Sequence, residues 1–237
     1  MEIQDCRSKN SPAMANFVHF YDSVFSSEFC SNVIKKYSDW PDIERWVHYD
    51  GPGSREFGQL VISGHEAWRA IERDLLFTIS DYEEIYKKDC GLEDVQWPSG
   101  RSVEKLFSSV RIKHYKNNSI DEFRSHTDLD SLEVCHRLLA YIVYLNDVDS
   151  GGQTEFPYFG FGIKPKAGRL LMFPPFWMYL HRGKMPLSGP KFILQGFLHY
   201  GEHPEPIVRG MMAAEKKQTS IRILEGTLNG RIFSQSL

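Results

Sequence analysis

The sequence predicts a mainly β-stranded domain with supporting helices (α+β), arranged as a sandwich or barrel. Its 237 residues suffice for one hydrophobic core. Two helical patterns occur before Gly91, and short apolar runs separated by Gly, Pro, Asn and Asp dominate from Leu106 onward. We therefore expect one integrated domain with three parts: helical and strand support over 1–105, a β core over 106–203, and a C-terminal extension over 204–237.

Two amphipathic helices are predicted in the supporting part. From Ser26 to Tyr37, apolar residues recur at helical spacing, and Ser26 or Ser27 can accept a hydrogen bond from a free first-turn amide. A longer helix should begin at Ser63–Glu66, where serine and glutamate three residues apart form a capping-box pattern. Gly91 suits its end, because glycine tolerates the left-handed conformation.

The remaining elements are predicted to be strands. Aromatic and β-branched residues from Trp46 to Ile62 flank Gly51–Pro52–Gly53, which favours a turn between two strands. Further runs rich in Val, Ile, Leu, Phe and Tyr indicate strands at 107–115, 137–146, 154–158, 161–164, 169–173, 177–182 and 191–200.

Composition and charge limit the kinds of partner and the cellular location that we expect. A net charge of -3 gives no general phosphate-neutralising surface, so we expect no nucleic-acid partner. The four cysteines show neither zinc-site spacing nor the density of a disulfide scaffold, which favours reduced structural thiols. We see no apolar segment typical of a signal peptide or a bilayer span, so we expect a cytoplasmic protein with no membrane partner.

A metal site is indicated by His126, Asp128 and His181. His126 and Asp128 lie two residues apart, so in an extended segment both side chains point to one side, although such a triplet is also typical of an exposed turn. His181 supplies a second imidazole. Two imidazoles and one carboxylate on one face of an iron leave open positions for a keto acid and oxygen. Lys191 could pair with the far carboxylate of such a co-substrate.

The choice of His181 among nine histidines rests on spacing. His199 would share a strand face with Lys191, but eight residues place them about 26 Å apart, too far for one small pocket. His181, in contrast, can lie beside Lys191 across a hairpin turn.

Three motifs together resemble the prolyl 4-hydroxylase-like branch of the Fe(II)- and 2-oxoglutarate-dependent oxygenases. They are H-T-D at 126–128, G-G-Q-T-E-F-P at 151–157 and H-R-G-K-M-P-L-S-G-P-K at 181–191. The resemblance covers roughly residues 107 to 200. It implies a double-stranded β-helix, the cupin-like jelly-roll, with the metal at its open end.

The resemblance also implies roles for individual residues. It makes His126, Asp128 and His181 the iron ligands, and Lys191 the partner of the distal carboxylate of 2-oxoglutarate. Tyr115 resembles the family tyrosine that hydrogen-bonds the co-substrate, but such a strand tyrosine is equally a packed core residue. Thr154 stands where the family has its threonine, and the alternative there is a turn followed by a core strand.

The sequence departs from the family pattern in two places. Lys116–Asn117–Asn118 follows Tyr115 where many relatives have a Pro-Gly turn, which weakens the assignment of Tyr115. Phe197 stands six residues after Lys191, where many members carry tryptophan. This second departure bears on the substrate rather than on the metal.

The activity implied by the resemblance is hydroxylation of an unactivated C–H bond, coupled to conversion of 2-oxoglutarate to succinate and carbon dioxide. It requires Fe(II), 2-oxoglutarate and O2, with ascorbate as a supporting reductant. The acceptor implied is a peptidyl proline. Two alternatives stay open: the same chemistry on a free amino acid or other small molecule, and a non-catalytic jelly-roll binding module stapled by a metal.

Overall fold

The computed structural model describes residues 13–41, 43–48, 55–93, 107–118 and 120–200. The turn at Gly51–Pro52–Gly53 and the extension at 204–237 lie outside the described residues. In the described ranges, no helix combines the length and apolar character needed to cross a bilayer. The described chain forms two α-helices and eleven strands.

The helices and strands have the following bounds. The helices are α1 (Ser27–Ser38) and α2 (Arg69–Asp89). The strands are β1 (His19–Tyr21), β2 (Glu44–His48), β3 (Arg55–Val61), β4 (Arg111–Tyr115), β5 (Phe123–His126), β6 (Arg137–Tyr144), β7 (Thr154–Phe156), β8 (Phe161–Ile163), β9 (Leu170–Phe173), β10 (His181–Gly183) and β11 (Lys191–His199).

The strands follow one hydrogen-bonded path, β1-β9-β6-β11-β4-β3-β5-β10-β7-β8, with β2 paired to β3 beside it. All the pairings are antiparallel. β3 and β5 share a single register pair, Arg55 with Phe123. This weak junction divides the path into a larger sheet, β1-β9-β6-β11-β4-β3, and a smaller sheet, β5-β10-β7-β8.

Two hydrophobic clusters lie on opposite faces of the larger sheet. The inner cluster joins both sheets, since it contains Ile142 and Ile193 from the larger and Phe123 and Phe156 from the smaller. The outer cluster joins the larger sheet to the two helices, for example through Leu194, and both helices contribute buried residues to it. The protein is therefore a two-sheet jelly-roll supported by helices on one outer face.

The first helix and the N-terminal hairpin form as predicted. Ser26 caps α1, because its hydroxyl oxygen accepts from the backbone N–H of Phe29 at 3.0 Å. β2 and β3 pair in antiparallel register, with Trp46 opposite Phe57.

The predicted start of the second helix is wrong. A short 3-10 turn spans Glu66–Trp68, and α2 begins only at Arg69. Ser63 does not cap it, because its hydroxyl hydrogen-bonds the Glu72 carboxylate and accepts from the backbone N–H of Val110 at 2.8 Å. The helix ends near Gly91 as expected, and that glycine has a φ of 67°.

Two predicted strands begin several residues later than expected. Trp177–Tyr179 forms a 3-10 turn closed by the Tyr179 N–H donating to the Phe176 carbonyl at 2.8 Å, so β10 begins only at His181. Phe107 makes only an isolated bridge to Leu198, and β4 begins at Arg111.

Candidate metal centre

The strand register brings the two candidate imidazole ligands together. His126 ends β5 and His181 opens β10, and these two residues are direct cross-strand partners. Asp128 follows two residues beyond the end of β5 and is buried. Its carboxylate oxygens lie 3.6 Å from His126 Nε2 and 3.4 Å from His181 Nε2. One ligand atom from each residue lies within 4.8 Å of the others, and no other such cluster of His, Cys, Asp or Glu occurs in the described ranges.

The ring orientations leave nitrogen lone pairs directed at the centre. Nδ1 of His126 lies 2.8 Å from the Arg124 carbonyl, and Nδ1 of His181 lies 3.0 Å from the Tyr179 carbonyl. Because a carbonyl only accepts, each Nδ1 carries the proton and each Nε2 is a potential ligand. His126 Nε2 and Asp128 Oδ2 are buried without a hydrogen-bond partner. Buried polar atoms of this kind require an explanation, and a bound cation provides one.

The protonation states also suit a cation. Burial is the main cause that lowers the pKa of His181, to about 4, so its imidazole is neutral at physiological pH. Burial alone would raise the pKa of Asp128, but the neighbouring His181 and His126 outweigh it and hold that pKa well below its usual range. An ionised carboxylate and the neutral imidazole of His181 therefore face each other beside His126, and this ligand set fits a divalent metal.

Aromatic rings support both imidazoles. Phe123 stacks on His126 with centroids 3.5 Å apart and planes 7° apart. Phe173 meets His181 edge-on at 4.8 Å. Phe173 is fully buried in the core, whereas Trp177, four residues later, is 72% exposed.

Lys191 lines a cavity that is also lined by His126 and His181. It opens β11, pairs in register with Tyr115 and is only 2% exposed. Its ammonium donates to the carbonyls of Gly152 and Lys184 at 3.1 and 3.2 Å, and lies 4.1 Å from the centroid of the Tyr115 ring. Burial lowers the pKa of Lys191 to about 7. Among the described residues, its hydrogen bonds go to neutral carbonyls, so the pocket can take an anionic partner.

The structure also places the predicted residue Thr154 at this cavity. Gly183 lies there too, although the sequence analysis did not predict it. The cavity is lined by His126, His181, Lys191, Tyr115, Thr154 and Gly183, among others. Thr154 is buried at the start of β7, and its Oγ1 accepts from the Tyr144 hydroxyl at 2.7 Å. A Cβ at Gly183 would lie 3.6 Å from Lys191 Nζ and 3.8 Å from the Tyr115 hydroxyl. The glycine therefore keeps open the space between these groups.

One predicted relation within the site is wrong. His181 and Lys191 do not face each other across a hairpin, because β10 pairs with β5 and β7 whereas β11 pairs with β4 and β6. They meet because the two sheets face each other. His199, at the far end of β11, packs against His136 with ring centroids 4.2 Å apart, and neither residue lines the cavity.

Comparison with known proteins shows a family match over the segment that contains the site. Residues 110–199 match the model of the 2OG-Fe(II) oxygenase superfamily. No curated protein sequence matches this chain. The matched segment is therefore similar to 2OG-Fe(II) oxygenases, and it contains all the candidate site residues.

Solved structures show the same fold. A viral collagen prolyl hydroxylase from Paramecium Bursaria Chlorella virus-1 is 20% identical, with a TM-score of 0.57 over 78% of this chain and 97% of that chain. A Trichoplax adhaerens prolyl hydroxylase, in complex with a hypoxia inducible factor peptide fragment, is 14% identical, with a TM-score of 0.55 over 78% and 84%. A Pseudomonas putida prolyl-4-hydroxylase is 11% identical, with a TM-score of 0.56 over 78% and 93%.

The solved structures confirm the predicted double-stranded β-helix. The match over residues 110–199 supports the predicted enzyme class, a 2-oxoglutarate-dependent dioxygenase, whose reaction uses Fe(II), 2-oxoglutarate and O2.

Proposed function

We propose that this dioxygenase hydroxylates an unactivated C–H bond of a peptidyl proline, with His126, Asp128 and His181 as Fe(II) ligands. One observation carries the proposal: three ligand atoms lie within 4.8 Å of one another, and the cavity lined by the two histidines of this set is also lined by the buried Lys191. A metal ligand set at one end and a cation at the other suit a keto acid with two carboxylates.

Bound Fe(II) would supply the redox chemistry by which one atom of O2 enters succinate and the other enters the product hydroxyl group. The residues of this chain would bind, orient and exclude water. The Nε2 lone pairs of the two histidines and the ionised Asp128 carboxylate would hold the metal on one side. Phe123 and Phe173, packed on the imidazoles, would keep water from that side.

The co-substrate would lie between the metal ligands and Lys191. Its distal carboxylate would accept from the Lys191 ammonium and the Tyr115 hydroxyl, in the space that Gly183 leaves open. Thr154, whose oxygen already accepts from the Tyr144 hydroxyl, would donate its own proton toward the cavity. These roles agree with those that the family resemblance implies.

A peptide acceptor is favoured by apolar side chains that are exposed and close to the ligands in sequence. Leu132, four residues after Asp128, is 82% exposed, and Trp177, four residues before His181, is 72% exposed. Prolyl hydroxylases are also among the structural neighbours, one of them in complex with a peptide fragment.

The proposal is tested in two measurements. Succinate formation is followed with Fe(II), ascorbate and 2-oxoglutarate, and we expect turnover that is lost without Fe(II). Proline-containing peptides and free amino acids are then incubated separately, and mass spectrometry looks for a gain of one oxygen. We expect that gain on a peptidyl proline. Oxygen gain on free amino acids alone would overturn the peptide acceptor, and a folded, iron-loaded protein without turnover would be a binding module.

A further inference from the structure

Asp128 is held differently from the two imidazole ligands. Each imidazole lies on a strand and is oriented by a hydrogen bond from Nδ1 to a backbone carbonyl. Asp128 lies beyond the end of β5, and its Oδ2 atom is buried without a hydrogen-bond partner. The carboxylate contacts given above are with the two imidazole ligands themselves, so the place of the carboxylate depends largely on the position of its own backbone.

That backbone is held by Arg137, the first residue of β6. The Nη1 atom of Arg137 donates to the Asp128 carbonyl oxygen at 2.6 Å. A guanidinium group forms charge-assisted hydrogen bonds of this kind, which are stronger than neutral ones. The contact joins the segment after β5 to a strand in the middle of the larger sheet.

Arg137 is itself held by Phe197. The guanidinium carbon lies 3.9 Å from the centroid of the Phe197 ring, in cation–π contact. Phe197 is buried, and its backbone exchanges two hydrogen bonds with Ser108, each 2.9 Å long. The ring is therefore a fixed platform for the guanidinium group.

We propose that Arg137, stacked on Phe197, is a positioning residue that sets the place of the Asp128 carboxylate in the metal centre. This inference rests on the proposed function, because it takes Asp128 as a metal ligand. Arg137 acts on the metal through Asp128: it holds the Asp128 backbone, and its charge also helps to lower the pKa of the Asp128 carboxyl group. Removing it should weaken metal binding while the two imidazoles stay in place.

The test measures Ni(II) affinity by isothermal titration calorimetry, because Ni(II) binds nitrogen and oxygen ligands more tightly than Fe(II). Arg137→Met keeps much of the packing volume but removes the donor and the charge. We expect about 10- to 100-fold weaker binding, the usual cost of losing a group that orients a ligand. Arg137→Lys keeps a donor and a charge, so its Ni(II) affinity should fall less than that of Arg137→Met.

The matched control is Arg169→Met. Arg169 also stacks on a ring, Phe20, at 4.4 Å, and also donates to a backbone carbonyl, that of Lys164. It does not line the site cavity. Its substitution should change Ni(II) affinity less than about twofold, within the usual scatter for an independent site.

A double-mutant cycle separates positioning from general damage to the fold. In an Asp128→Ala background, Arg137→Met should cost less than about twofold in Ni(II) affinity, since the group on which it acts is gone. An equal cost in both backgrounds, or no cost in the wild type, would overturn the proposal. If circular dichroism shows that Arg137→Met does not fold, Phe197→Leu replaces it in the same cycle. We then expect the same pattern of Ni(II) affinities with a smaller loss in the wild-type background.

The cycle also distinguishes failure of this inference from failure of the proposed function. If Asp128→Ala binds Ni(II) as tightly as the wild type, the metal centre itself is wrong. If Asp128→Ala weakens binding but neither Arg137→Met nor Phe197→Leu does, only the positioning role is wrong.

Discussion

The two faces of β11 are equally buried but carry different chemistry. All nine residues of the strand are buried. On the outer face, Leu194 packs in the cluster that contains both helices. On the inner face, Lys191 and Gln195 line the cavity. Burial alone therefore does not reveal a site, whereas buried polar groups that face one cavity do, because burying them without a function would only cost stability.

The largest loss of activity is expected on the inner side, when the metal-site residue His181 is replaced. His181→Ala removes one of three ligand atoms, so we expect metal binding and succinate formation to fall below detection. His65→Ala is the control, because His65 is exposed and lies outside the cavity. Full activity of His181→Ala, measured beside that control, would show that the ligand assignment is wrong.

On the outer face of β11, we expect a substitution to lower the stability of the fold rather than metal binding. Leu194 is fully buried against the helices, and Leu194→Ala should lower the free energy of unfolding by about 2–5 kcal/mol in urea denaturation. The Ni(II) affinity of the folded variant should stay within about twofold of the wild type. A large loss of metal affinity at unchanged stability would contradict the division between the two faces.

On the inner face of β11, Lys191→Ala should affect mainly the binding of 2-oxoglutarate. A charge-assisted hydrogen bond contributes roughly 1.5–3 kcal/mol, so the KM for 2-oxoglutarate should rise about 10- to 150-fold. The turnover number at saturating 2-oxoglutarate and the metal affinity should change little. Lys166→Ala is the control, since that side chain is 53% exposed. An unchanged KM in Lys191→Ala would place the co-substrate elsewhere.

The smallest expected effect is on pH dependence. Because the pKa of Lys191 is lowered to about 7, the neutral amine prevails as pH rises above that value. A bound carboxylate favours the ammonium form, so binding takes up a proton and weakens as pH rises through 7. The KM for 2-oxoglutarate should increase about fivefold between pH 7 and pH 8. In Lys191→Ala this rise should disappear, and its persistence there would assign the titration to another group.

The sequence indicated the candidate metal ligands because the chemistry depends on the residue types themselves. An imidazole and a carboxylate two residues apart, followed by a distant histidine and lysine, are visible without coordinates. The type of fold followed from the spacing of short strands and from the family motifs, and the ends of α1 followed from Ser26 and its helical pattern.

Features that depend on pairing between distant segments could not be predicted. Gly183 matters because it stands opposite Thr154 and beside Lys191, and only the strand register shows this. Arg137 touches the Asp128 carbonyl nine residues earlier in the chain, and no local pattern indicates that contact. The start of α2 was misplaced because Ser63 bonds Glu72 rather than a first-turn amide.

The most direct test of the central claim is a crystal structure with Mn(II) and a 2-oxoglutarate analogue. We expect one metal bound by His126 Nε2, His181 Nε2 and an Asp128 oxygen. We also expect the distal carboxylate of the analogue within hydrogen-bond distance of Lys191 Nζ. A metal bound elsewhere, or an analogue whose distal carboxylate points away from Lys191, would contradict that claim.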